Sequence, residues 1–322
     1  MPLDPQIRSM LDALQAARTD PPAPVTLEES RAIYRKQYLD MSRGPDGGVV
    51  QETIALPGAA AGVTITLYRP ATSGQALPLI LYLHGGGFVL GDAQAYSKQS
   101  ARIAESCGAI VGFLDYRLAP EHPFPAALDD TLAATRWLAD NAPRLGADTD
   151  RFGLMGDSAG GNLAIRAMIE VRPQTLFRAV TLLYPVTDFR PYCSLAPHSA
   201  SDEDYRTGYY LERPAMEYFG RAYLAGNLER SADPRVSPLA ESDLGGLPPV
   251  AIYGGEYDLL WDQGRAFAKR LKAAGANVAY RCFDGLIHNF MQQAGLSEAS
   301  DRAFRIVCAE MRAALGQAAG VS

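Results

Sequence analysis

The stretch Met155-Gly156-Asp157-Ser158-Ala159-Gly160-Gly161 most constrains what this chain can become. Arg151 to Met155, just before it, reads as a short buried strand, and Asn162 to Val171 carries helical spacing that stops before Pro173. A strand, a sharp Gly-x-Ser-x-Gly turn and a helix, in that order, form the context of a nucleophile elbow. The turn is so tight that only glycine fits two positions either side of the serine without a Cβ clash. It lifts Oγ of Ser158 above the sheet and aims the Ala159 N–H at the same spot, beside the positive end of the new helix. A glycine-rich turn in which Ser158 merely caps a helix also explains the motif taken alone. The rest of the chain has to decide.

Strand and helix patterns alternate through most of it. Val49 to Leu56 and Val63 to Arg69 alternate around Pro57-Gly58, which predicts an antiparallel pair at a sheet edge. Leu79 to Leu83 and Ala109 to Leu114 are continuous apolar runs, as expected of strands buried on both faces, and Ala179 to Tyr184 reads as another buried strand. Pro249 to Tyr253 and Val278 to Phe283 complete a count of eight strands. Helical spacing lies between them over Tyr96 to Ser106, Ala126 to Asp140 and Trp261 to Ala274, and a last helix starts at an N-cap, Ser297. The fold class is α/β: a mostly parallel, doubly wound sheet flanked by helices.

Two segments break the alternation. Residues 1–45 read as two helices, Leu3 to Ala17 and one opened by the capping box Thr26-Leu27-Glu28-Glu29, separated by the proline-rich Asp20 to Pro24. Residues 188–234 show no strand pattern but an amphipathic helix, Pro214 to Leu224, and seven aromatics from Tyr192 to Tyr223. An insertion leaving the C-terminal edge of a parallel strand lies beside the place where such sheets bind ligands. Both segments are therefore expected to form a helical cap. Residues 46–187 and 235–322 would form the core beneath it.

Composition narrows the function classes. Net charge is −6 and no basic run interleaves with aromatics, so no nucleic-acid partner is expected. No apolar stretch is long enough to cross a bilayer, and the N-terminus lacks the apolar core of a signal peptide. Cys107, Cys193, Cys282 and Cys308 are far apart and read as reduced thiols of a cytoplasmic protein, with no metal spacing.

His84-Gly85-Gly86-Gly87-Phe88 follows the Leu79 to Leu83 strand directly. A glycine run there exposes backbone N–H groups to an anion that develops during a reaction, as in an HGGG-type oxyanion loop. The base is found by elimination among four histidines. His84 belongs to the glycine loop, His122 to a proline-rich turn and His198 to the insertion. His288 remains, after the last strand. For the acid, Asp258 follows the Pro249 to Tyr253 strand and can accept the Nδ1–H of His288. Glu256 and Asp262 are rivals, with Asp262 expected to cap the next helix and Asp284 to share a turn with His288. Tyr116 to Pro125 reads as a rigid connection salt-bridged by Arg117 and Glu121, and Ser201 to Asp204 as solvated surface.

Together these residues resemble the bacterial hormone-sensitive lipase family of carboxylesterases, which have the α/β-hydrolase fold. HGGGF, DYRLAPEHPFPAALDD, GDSAGGNLA, YDLLWDQG and IHNF occur in the family order from about Ile80 onward. The resemblance implies Ser158 as nucleophile, Asp258 as acid, His288 as base, and the N–H groups of Gly86, Gly87 and Ala159 as oxyanion donors. It also implies an eight-stranded sheet and a helical cap. Many members pair through the edge strand and its neighbouring helix, which makes a homodimer an expectation. One departure is Asn289, where the family usually has glycine. The expected activity is hydrolysis of short- to medium-chain acyl esters without a metal or cofactor. The alternatives are an amidase, arylformamidase or deacetylase with the same triad, or a non-catalytic ligand-binding relative.

Overall fold

The strands are β1 (Val49–Ala55), β2 (Thr64–Pro70), β3 (Leu77–Leu83), β4 (Ile110–Asp115), β5 (Ala147–Asp157), β6 (Ala179–Leu183), β7 (Val250–Tyr257) and β8 (Val278–Ile287). They form one eight-stranded sheet in the order β1-β2-β4-β3-β5-β6-β7-β8. The computed structural model describes residues 1–18, 25–71, 76–172 and 176–316. β2 runs antiparallel to both its neighbours, and every pairing from β4 to β8 is parallel. The hairpin expected around Pro57-Gly58 thus sits at the edge, and β1 is largely exposed.

The helices are α1 (Pro5–Ala16), α2 (Leu27–Met41), α3 (Ser97–Cys107), α4 (Ala126–Asn141), α5 (Ala159–Glu170), α6 (Ala200–Asp204), α7 (Arg213–Tyr223), α8 (Trp261–Ala273) and α9 (Glu298–Ala314). Local chemistry sets several of their ends. Thr26 and Glu29 form the reciprocal capping box of α2, and the Ser297 hydroxyl accepts the Ser300 N–H at the start of α9. The expected break at Asp20 to Pro24 lies outside the described residues.

Side chains alternate across β3. Leu79, Leu81 and Leu83 join a core with α4, α5 and α8, whereas Ile80 and Tyr82 join a second core with α3, α9 and the N-terminal helices. A strand buried on both faces favours apolar residues on both, which is why Leu79 to Leu83 of β3 reads as an unbroken apolar run.

Four sequence expectations are corrected. Ser201 and Asp202 are buried in α6, where Asp202 accepts from Arg213 Nε at 3.0 Å and contacts His198. A buried carboxylate needs such partners, so Ser201 and Asp202 are not solvated surface, whereas Glu203 and Asp204 are exposed as expected. Arg117 pairs with Asp130 at 2.7 Å and Glu121 with Arg31 at 2.8 Å; the two do not pair with each other. Asp262 does not cap α8, because its carboxylate accepts the Ser201 N–H at 2.9 Å and Arg265 at 2.8 Å. Asp284 lies exposed within β8, which continues past Phe283 to Ile287, and shares no turn with His288.

Candidate active site

Each of the candidate residues follows the C-terminal end of a parallel strand. His84 and the glycine loop follow β3, Ser158 follows β5, Asp258 follows β7 and His288 follows β8. That edge is where an open α/β sheet binds ligands.

At the elbow, Ser158 has φ 52° and ψ −114°, a strained conformation for a residue with a side chain. A Cβ on Gly156 would lie 2.3 Å from the Gly160 oxygen, and one on Gly160 would lie 2.0 Å from the Leu83 oxygen. Glycine at these two positions lets β5, the turn and α5 close together. The Ser158 N–H donates to Leu183 O at 2.9 Å, which fixes the turn to β6.

The structure brings Ser158, His288 and Asp258 into line. His288 Nε2 is 3.0 Å from Ser158 Oγ, and His288 Nδ1 is 2.8 Å from Asp258 Oδ2. Asp258 accepts only, so Nδ1 carries the proton and Nε2 is left as acceptor for the serine hydroxyl. The other Asp258 oxygen accepts the Leu260 N–H at 2.9 Å. His288 and Asp258 are each 2% exposed, which strengthens their pairing. The rivals are occupied elsewhere: Glu256 holds the Met1 amino group at 2.7 Å and the Gly285 N–H at 2.8 Å.

Gly86 and Gly87 line the same cavity as Ser158, and Ala159 follows Ser158 at the start of α5. Among the described residues their N–H groups donate no hydrogen bond. Gly86 has φ 107°, and a Cβ there would lie 2.2 Å from the Leu90 oxygen. The Phe219 ring of α7 lies against Gly87. The first glycine, Gly85, is pinned instead: its N–H donates to Asp157 Oδ1 at 3.0 Å and to the Tyr96 hydroxyl at 3.1 Å.

Two buried ionisable groups support this loop. Asp157 accepts from the hydroxyls of Tyr82 at 2.7 Å and Tyr96 at 3.1 Å and from Gln292 Nε2 at 3.2 Å, besides Gly85. Burial pushes its carboxyl up to about 6 against those donors. His84 stacks between Phe113 and Tyr116, and burial drives its imidazole down to about 4. Sequence reasoning passed over Asp157. The available signal was an ionisable residue closing the apolar stretch Phe152 to Gly156, next to the serine.

Ser158, His288 and the glycine loop open into a cavity of about 660 Å³. Its outer wall comes from α1, α2, α7 and the segment before α7, including Leu14, Tyr34, Tyr38, Tyr210 and Phe219. Among the described residues no cluster of three or more His, Cys, Asp or Glu is placed to hold a metal ion. Nor is any helix there long and apolar enough to cross a membrane.

A family model described as alpha/beta hydrolase fold matches residues 80–292. The chain is 32% identical to an ethyl acetate hydrolase of Pseudomonas putida, over 95% of this chain and 98% of that protein. It is 32% identical to an arylesterase of Saccharolobus solfataricus, covering 90% of this chain and 93% of that one. A hyperthermophilic esterase from Pyrobaculum calidifontis superimposes with a TM-score of 0.88 at 33% identity, covering 97% and 99% of the two chains. The chain belongs to the α/β-hydrolase fold family, on its bacterial hormone-sensitive lipase branch.

Proposed function

We propose that this protein is a serine carboxylesterase acting on short- to medium-chain acyl esters. The observation that carries the reading is the unbroken line from Asp258 through His288 to Ser158 at the floor of the cavity. The relatives named for ester hydrolysis point the same way.

In this reading Ser158 Oγ attacks the ester carbonyl carbon while His288 Nε2 takes the hydroxyl proton. Asp258 holds the imidazolium that results. The carbonyl oxygen becomes an oxyanion facing the N–H groups of Gly86, Gly87 and Ala159, each worth roughly 2.7–4 kcal/mol of transition-state stabilisation. His288 returns its proton to the leaving alcohol, which departs and leaves an acyl group on Ser158. Water, deprotonated by the same imidazole, then releases the acid and restores the serine. Residues 1–45 and 188–234 act as the cap that shapes the acyl and alcohol subsites. Residues 46–187 and 235–322 carry the chemistry.

Hydrolysis of p-nitrophenyl esters from acetate to palmitate, with Ser158→Ala alongside, tests the reading. The expected profile has its maximum at short or medium chains and disappears in the variant. A folded wild-type protein that turns over no ester would overturn the proposal and favour an amide substrate or binding without chemistry.

A further inference from the structure

Asn289, immediately after His288, has φ 67° and a side chain that is almost fully buried. Glycine meets that backbone conformation at lower cost, and asparagine tolerates it. The carboxamide has a partner far away in sequence: Nδ2 donates to the Tyr38 hydroxyl of α2 at 2.6 Å, across 251 residues.

The contact continues from there. The Tyr38 ring stacks on Tyr34 with centroids 3.9 Å apart, and the Tyr34 hydroxyl lies 3.1 Å from that of Tyr96 in the segment entering α3. Tyr96 donates to Asp157 Oδ2 at 3.1 Å, and Gln292 Nε2 donates to the same oxygen at 3.2 Å. Gln292 closes the circuit, since its N–H donates to Asn289 O at 3.0 Å. The residue after the base and the residue before the nucleophile are thereby joined through tyrosines of the N-terminal half.

We infer that Asn289 is a positioning residue for His288, and that the Asn289–Tyr38 bond makes docking of α2 part of the alignment of the triad. The loop carrying His288 leaves β8 without regular structure until a short turn at Gln292–Gly295. Its register relative to Ser158 therefore depends on side-chain ties. A misplacement of about 1 Å at a reacting group costs up to two orders of magnitude in rate. Tyr34, Tyr38 and His288 all line the cavity, so the tie joins its wall to the loop that carries the imidazole.

The kinetic part of the test rests on the esterase reading; a spectroscopic part does not. Asn289→Gly keeps the backbone conformation, Tyr38→Phe keeps the ring, and Ile33→Ala, on the exposed side of α2, is the control. On p-nitrophenyl acetate, each of the first two should lower kcat about tenfold with KM changed less than about twofold, and the double variant should be no worse than either alone. The downfield proton resonance of His288 Nδ1–H should be sharp in the wild type and control, and broadened in both variants. If the wild type hydrolyses no ester but the resonance behaves so, the esterase reading falls and the positioning role stands. Variants that melt earlier yet keep kcat and a sharp resonance would reduce the bond to a structural one and overturn the inference, as would additive losses in the double variant.

Discussion

The Asp157 carboxylate accepts the Gly85 N–H at 3.0 Å, fastening the glycine loop after β3 to the strand that presents Ser158. With Tyr82, Tyr96 and Gln292, that carboxylate receives four donors, two on each oxygen. An amide in its place accepts on one side only and turns its own N–H₂ toward two donors. Asp157→Asn should therefore cost about 2–3 kcal/mol of stability in urea unfolding and lower kcat more than it raises KM. Unchanged stability and kcat would count against the role given to Asp157.

Asp157 and His84 also predict a pH effect through opposite signs. Folded Asp157 keeps its proton up to about 6, whereas the unfolded carboxyl has released it by about 4. Over that window its contribution makes stability fall as pH rises. Folded His84 stays neutral down to about 4, whereas the unfolded imidazole takes up a proton below about 6.5, so its contribution makes stability rise with pH. Each term is worth roughly 3 kcal/mol, and in the wild type they largely cancel. Asp157→Asn exposes the His84 term: between about pH 4.5 and 6.5 the variant should gain stability more steeply than the wild type. Parallel urea-unfolding curves at the two pH values would contradict this.

Gly86→Ala tests the glycine loop. The added Cβ meets the Leu90 carbonyl oxygen at 2.2 Å, backbone that cannot swing aside, so the loop has to shift. Loss of one donor to the oxyanion should lower kcat by about 10²–10³ while circular dichroism stays native. Activity within a few-fold of wild type would show that this loop holds no charge in the transition state.

Asp130→Ala tests the connection between β4 and α4. Asp130 is 1% exposed and accepts the Arg117 N–H at 3.0 Å and its guanidinium at 2.7 Å. Removing the carboxylate strands a half-buried cation and should cost about 3 kcal/mol in thermal or urea unfolding. A loss below about 0.5 kcal/mol would place this pair with exposed ion pairs of little worth.

Local chemistry was legible in the sequence wherever partners are near in the chain. The Thr26–Glu29 capping box and the Ser297 cap span three residues, and both formed as expected. Gly156 and Gly160 announced a tight turn because a Cβ at either clashes with nearby backbone. Strand ends located Asp258 and His288, which the fold then brings within 2.8 Å. Long-range pairing was not legible. Glu121 lies four residues from Arg117, yet its partner is Arg31, 90 residues away, because packing of α2 against that loop decides which charges meet. Asp202 looked solvated for the same reason, until Arg213 and His198 close over it. The circuit through Asn289 and Tyr38 needs four separate segments and has no local signature.

The most direct test of the central claim is rapid mixing of enzyme with p-nitrophenyl acetate, followed by intact-mass and peptide analysis. The account predicts a burst of p-nitrophenol stoichiometric with enzyme, one acetyl group on Ser158, and neither in Ser158→Ala. An acetyl group on another residue, or comparable turnover by Ser158→Ala, would contradict it.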